Sequence, residues 1–313
     1  MIIKQSPEDF RVKEILNLKF SEGGYFYYLL KKKNWNTIDI VERLEKFFKT
    51  KAGFAGNKDK NAVTEQFISL FKISQKKAEK FKLNDVSLEF LGKGDKPISL
   101  GMLEGNFFEI TLREVKEELP SVSFIENYFD EQRFGKNNAL IGKFIVQRKF
   151  KEASKIIGKD VFSLSKRRLR FYLSAYQGYL FNEYLKEYIK EHFKEYVKDY
   201  VKVKYSLGEL FFTKEFTKNF KISLVNFDTK SDGIYKKMLR REKIKQSDFF
   251  LREMPSLVDE SVYRDAFAFV EQFSSKFFAK ENKQIVSFYL QKGSYATVVI
   301  KKMLSSLEMF KYK

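Results

Sequence analysis

Cysteine is absent from this 313-residue chain, and histidine occurs once, as His192. Without a thiol there is no disulfide, no thiolate nucleophile and no cysteine-held zinc or iron–sulfur centre. A single imidazole leaves little room for histidine metal sites or Ser-His-Asp triads. No metal site is expected, and chemistry would fall to Asp, Glu, Lys, Tyr or Ser. His192 sits among Lys and Glu at the edge of an apolar stripe with helical spacing: Tyr184, Leu185, Tyr188, Ile189, Phe193, Tyr196, Val197 and Tyr200. It reads as a solvated residue on the face of a helix running to residue 201. Long apolar runs are also missing. The longest uncharged stretch of note, residues 171–182, is shorter than the roughly 20 apolar residues that span a bilayer. The opening MIIKQSPEDF lacks the basic-then-apolar pattern of a secretory signal. A soluble, cytoplasmic protein without a membrane partner is expected, and the helix up to residue 201 alternates Lys with Glu, which an anionic lipid surface would not favour.

What the chain does have is positive charge. It carries 60 Lys+Arg against 41 Asp+Glu, a formal charge of +19, which favours a polyanionic partner. Its 43% apolar and 17% aromatic residues can build a sizeable core for one or two domains. Residues 151–250 hold about half of the excess, with 23 Lys+Arg and 13 Asp+Glu. Two clusters stand out: KRRLR, with Lys166, Arg167 and Arg168, and KKMLRREKIK, in which Lys236, Arg240 and Lys243 would share one helical face. Displayed on helices, these side chains are candidates for phosphate contact.

The first 120 residues read as strands and helices without a regular βαβ rhythm. Residues 25–32 form an aromatic-rich strand candidate. Asn36 then caps a helix whose apolar face is Ile40, Val41, Leu44, Phe47 and Phe48. Between two further β-like segments lies AGNKDKNAVTEQF, in which Asp59 is flanked by Lys58 and Lys60. A short connection on a rigid scaffold is a usual place for a functional carboxylate. If the backbone there is extended, alternation turns both lysines away from Asp59 and its charge partner comes from elsewhere. Residues 86–115 read as two or three strands, residues 120–200 as helical, and residues 284–304 as a strand followed by a helix. Strands, helices and a returning strand indicate an α+β fold whose sheet receives its last strand from the C-terminal region, the middle being an insertion.

The segment AGNKDKNAVTEQ resembles the signature of the TruD family of tRNA pseudouridine synthases. Further blocks resemble the family in its order: IIKQSPEDFRVKE, LGMLEGNFFEITLREV, NYFDEQRFG, LSAYQGYLFN and KGSYATVVIKKML. Together they cover the chain almost end to end. Asp130 stands where the family commonly has a glycine, and residues 202–275 carry no recognisable family motif.

The resemblance implies a pseudouridine-synthase catalytic domain with a mixed or antiparallel sheet, residues 1–150 and 276–313. An inserted, mainly helical TRUD domain would occupy residues 151–275. It implies an isomerase that converts a uridine of tRNA, at position 13 in family members, to pseudouridine. Asp59 would be the nucleophile or base and Lys4 its charge partner. The uridine must leave its stack, at a cost of a few kcal/mol. The family match gives Phe129 the stacking role, as a pocket-lining ring that returns about 1–3 kcal/mol per base. Asn127 would bond the pocket or the base, and Arg133 a phosphate or the loop. The lysines beside Asp59 would keep its surroundings attractive to RNA. No cofactor and no obligate protein partner are implied, and the chain would act as a monomer. A protein that binds or folds RNA through the same basic cleft without turnover is the alternative, but such a protein has no need of Asp59 with its whole flanking motif.

Overall fold

The computed structural model describes residues 1–193, 200–216, 218–257 and 260–311. They pack as two compact units, the first made of Met1–Ser123 and Phe269–Gly293, the second of Phe124–Ala268 and Ser294–Lys313. In chain order the first unit contributes β1 (Ile2–Ile3), β2 (Phe10–Ile15), β3 (Tyr25–Lys33), α1 (Thr37–Phe48), β4 (Ala52–Phe54), β5 (Val63–Phe71), α2 (Gln75–Ala78), β6 (Val86–Gly94) and β7 (Gly105–Arg113). Next come β8 (Phe124–Glu126), α3 (Glu131–Phe134), α4 (Asn138–Val146), α5 (Phe150–Ile157), α6 (Lys166–His192), β9 (Tyr200–Tyr205) and β10 (Gly208–Thr213). They are followed by β11 (Lys221–Ser223), α7 (Gly233–Glu242), β12 (Tyr263–Asp265) and β13 (Phe267–Phe269). The last elements are β14 (Glu271–Phe278), β15 (Lys283–Gln291) and α8 (Ala296–Lys311).

The first unit is a nine-stranded mixed sheet in the order β14-β15-β7-β2-β5-β3-β6, with β1 added on β7 and β4 on β5. The β2–β5 pair is parallel and its neighbours are antiparallel. Alternation along β3 turns Tyr28, Leu30 and Lys32 inward. Tyr28 and Leu30 join Ile40, Leu44, Ile68 and Leu70 in one core, each large apolar side chain contributing about 1.5–3 kcal/mol on burial. The apolar face expected of α1 holds for Ile40, Val41 and Leu44, but Phe47 is exposed and packs edge-on against Phe48 and Phe81. Asn36 occupies the N-cap, yet its amide donates to Asp39 Oδ2 at 3.0 Å and accepts no backbone N–H. Gly53 in β4 is required by close approach, since a Cβ there would lie 2.3 Å from the Ile98 carbonyl oxygen. As expected, a strand and a helix, β15 and α8, close the chain, with β15 seated between β14 and β7.

The second unit packs α4 against α6 over a core that includes Ile141, Ile145, Leu169, Tyr172 and Leu251. Its packing limits, at residues 124 and 268, differ from the sequence limits of 151 and 275. Within this unit Lys302 on α8 pairs with the buried Glu126 on β8, and Lys301 pairs with Asp130. The helix expected up to residue 201 ends at His192, and residues 194–199 lie outside the described residues. From Tyr200 a period of two takes over, and β9 pairs antiparallel with β10 from Tyr200 to Tyr205. His192 is solvated as expected, its ring stacked on Tyr188 with centroids 3.8 Å apart.

Candidate active site

Asp59 lies on the loop between β4 and β5, where sequence alternation places it. Its charge partner does come from elsewhere: Lys4 Nζ is 2.5 Å from Asp59 Oδ2. Both side chains keep some exposure, 19% for Lys4 and 27% for Asp59, so the carboxylate is paired and still reachable. Lys4 adopts a left-handed backbone with φ 61°, and its Nζ stands 3.9 Å from the centroid of the buried Phe10 ring. That cation–π contact holds the ammonium over a fixed apolar surface.

The lysines next to Asp59 behave differently from one another. Lys60 is exposed. Lys58 is buried and ion-paired with Glu14 on β2, whose other oxygen accepts from the Phe67 amide at 3.1 Å. It therefore braces the loop from beneath and does not present its charge to RNA, correcting the expectation for this residue. Glu14, Thr37 and Lys32, which the sequence reading did not single out, all contact the loop.

The second unit gathers Asn127, Phe129 and an arginine missed from sequence, Arg264. Asn127 Nδ2 donates to the Asp265 carbonyl at 3.0 Å, and its Oδ1 accepts from Arg264 Nη2 at 2.7 Å and from Ser294 Oγ at 3.1 Å. Asn127 therefore ties β12 in place. Phe129 is only 7% exposed, and its backbone N–H and C=O are both bonded by the Asn182 side chain at 2.8 Å. Its ring meets Phe181 edge-on at 5.5 Å and lies 4.2 Å from the Arg264 guanidinium. A Cβ on Gly178 would lie 3.1 Å from this ring, which would then have to give by a few tenths of an ångström. Burial lowers the Arg264 guanidinium to about 10. Arg133 has its guanidinium 5.9 Å from the Phe129 ring, and its Nε is buried without a partner among the described residues. Asp130 has φ −91°, which needs no glycine, and it accepts from Thr297 Oγ1 at 2.6 Å and Lys301 Nζ at 2.7 Å.

Lys166, Arg167 and Arg168 are exposed in the first turn of α6, behind the Ser165 cap. Cations there oppose the helix dipole, each at a cost of about 0.3–1 kcal/mol. Lys236 and Arg240 are exposed on α7, but Lys243 lies past its end with φ 56°. The single helical face expected for these three stops at Arg240. Among the described residues none of the three has a carboxylate within 4.0 Å, whereas Lys237 and Arg241 of the same helix are drawn to glutamates of α6.

The family model for tRNA pseudouridine synthase D (TruD) matches residues 1–164 and 158–303. A Pyrococcus abyssi protein named "Probable tRNA pseudouridine synthase D" is 41% identical over 49% of this chain and 41% of its own length. The Aquifex aeolicus tRNA pseudouridine synthase D is 39% identical over 54% of this chain and 48% of its own. The chain thus aligns with less than half the length of these two relatives. A Nanoarchaeum equitans relative with the same name as the Pyrococcus protein is 29% identical over 97% of this chain and 98% of its own. A solved Methanosarcina mazei structure described as "Putative tRNA pseudouridine synthase D (TruD)" superposes with a TM-score of 0.66 over 96% of this chain and 92% of that one, at 23% identity. The fold is shared with that structure. The chain belongs to the TruD family of tRNA pseudouridine synthases.

Proposed function

We propose that this chain isomerises a uridine of tRNA, at position 13, to pseudouridine, with Asp59 as the reacting carboxylate. The single observation that carries the reading is the Lys4–Asp59 pair at 2.5 Å on the signature loop. The reaction breaks the N-glycosidic bond, turns the base and joins C5 of uracil to the same sugar carbon. Substrate and product have the same atoms and oxidation level, so the reading calls for no cofactor or metal. Asp59 acts as a carboxylate, either by attack on the sugar carbon or by taking a proton in an elimination route. Lys4 supports both routes by holding a positive charge against the carboxylate.

The remaining roles belong to the same proposal. Phe129 supplies a face for the extruded base, which requires Arg264 to lift from that ring. Asn127 holds the Arg264 segment, and Arg133 contacts a phosphate or braces its own loop. Lys166, Arg167, Arg168, Lys236, Arg240 and Lys243 contact phosphates. tRNA is the partner, and the chain acts as a monomer. Mapping pseudouridine in an unmodified tRNA transcript incubated with the purified chain tests the reading. Pseudouridine at position 13 is the expected result. Modification at another uridine would move the site assignment, and bound but unmodified tRNA would favour the binding-only alternative.

A further inference from the structure

Lys32 is the middle one of three consecutive lysines that end β3. Its neighbours point outward, Lys31 pairing with Glu89 at 3.0 Å and Lys33 with Glu8. Alternation sends Lys32 the other way, beneath the Asp59 loop, where it is 2% exposed. Its Nζ donates to the carbonyl oxygens of Trp35 at 2.7 Å, Asp59 at 2.9 Å and Lys58 at 3.4 Å. All three oxygens belong to the backbone. A buried ammonium without a bonded carboxylate is costly, and a fold that needed only packing here would be served by an apolar side chain.

We propose that Lys32 is a positioning residue for Asp59: its ammonium grips the carbonyls of residues 58 and 59 and keeps a positive charge under the reacting carboxylate. The grip is completed by neutral partners. Thr37 Oγ1 accepts from the Lys58 amide at 3.0 Å and donates to Gln66 Oε1 at 2.7 Å, while Gln66 Nε2 donates to the Gly56 carbonyl at 3.2 Å. The loop is thus held at Gly56, Lys58 and Asp59, and among the described residues Lys32 is the one charged group that donates to its carbonyls. The charged residues acting on Lys32 are Asp59, which favours its proton, and Lys58, which opposes it and is itself tied to Glu14 of β2. Burial outweighs both and lowers the Lys32 ammonium to about 8. The clamp is charged at neutral pH and loses its charge as pH climbs past that value, so the isomerisation should have an alkaline limit set by the protein.

This inference rests on the reading that Asp59 carries the isomerisation. It is tested by single-turnover rates at saturating tRNA, from pH 6 to 9.5, for the wild type, Lys32→Met and Thr37→Val, with thermal melting and tRNA affinity measured alongside. Misplacement of a reacting group by about 1 Å costs roughly 100-fold in rate, and Lys32→Met should lose about that much while still melting cooperatively and binding tRNA. Its remaining rate should not fall above pH 8. Thr37→Val, which removes a neutral partner, should lose less and keep the fall above pH 8 seen in the wild type. A Lys32→Met rate equal to wild type would overturn the proposal. So would an alkaline fall shared by Lys32→Met, which would assign that limit to the substrate. If Lys32→Met does not fold, the wild-type profile decides, and a flat rate from pH 7.5 to 9.5 contradicts the clamp. A wild type that forms no pseudouridine defeats the functional reading instead. The clamp is then judged by amide hydrogen exchange of residues 58–60, which Lys32→Met should accelerate and which unchanged exchange would refute.

Discussion

Among the described residues the two least exposed lysines are Lys32 of the first unit and Lys302 of the second, and the two are treated differently. In the second unit Lys302, 3% exposed, lies 3.1 Å from Glu126 Oε2 and 3.3 Å from the centroid of the Phe124 ring. Glu126 also accepts from the Thr213 amide at 2.8 Å and its hydroxyl at 2.7 Å. That charge is matched within its own network, and its work is to tie α8 to β8. In the first unit Lys32, 2% exposed, bonds only carbonyls among the described residues, so its field is left to act on the loop above it. Burial lowers both ammonium groups to about 8, yet one serves the fold and the other serves a site. The depth of a buried lysine is therefore uninformative; its partner is what distinguishes the two.

Lys302→Met should separate them most widely. It leaves Glu126 charged and buried without its counter-ion, which costs about 3–5 kcal/mol, measurable by urea unfolding. A loss no larger than that of Lys32→Met would break the comparison. Phe129→Ala should follow. The family resemblance implies a pocket-lining ring, but with 7% exposure its truncation should cost about 3–5 kcal/mol as other buried aromatics do. Turnover by the surviving folded protein should fall as well; normal turnover would make the ring a core residue alone.

Lys32→Met should change stability least. The carbonyls left without donors offset much of the roughly 3 kcal/mol that a lysine lowered to about 8 costs when protonated. Because folded Lys32 holds its proton less tightly than the unfolded chain does, that cost is fully present below about pH 8. It is released as pH rises from 8 toward the ordinary lysine value of 10.5. The stability of Lys32→Met relative to wild type should therefore decline over that window, as urea unfolding at pH 7 and 9.5 would show. A constant difference would mean that Lys32 does not discharge there.

The same contrast governs what was legible in the sequence. In the first unit, period-two and period-3.6 patterns place β3, α1 and the Asp59 connection, because each element is half-buried and shows its alternation. Lys32 was legible in principle, since the pattern that buries Tyr28 and Leu30 also buries it, but a run of three lysines reads as solvated. The Lys4–Asp59 pair was available only from family resemblance, because nothing local links residues 55 positions apart. In the second unit the apolar stripe of α6 blends into β9, whose strand state depends on pairing with β10. Arg264 carried no signal at all: its role comes from Asn127 and Phe129, more than 130 residues away in sequence.

The most direct measurement is the single-turnover rate of pseudouridine formation by Asp59→Asn at saturating tRNA. The substitution is nearly isosteric and removes only the charge that Lys4 faces at 2.5 Å. Abolished product formation with tRNA affinity within a few-fold of wild type is the predicted result. Turnover at a comparable rate would contradict the assignment of Asp59 as the reacting carboxylate.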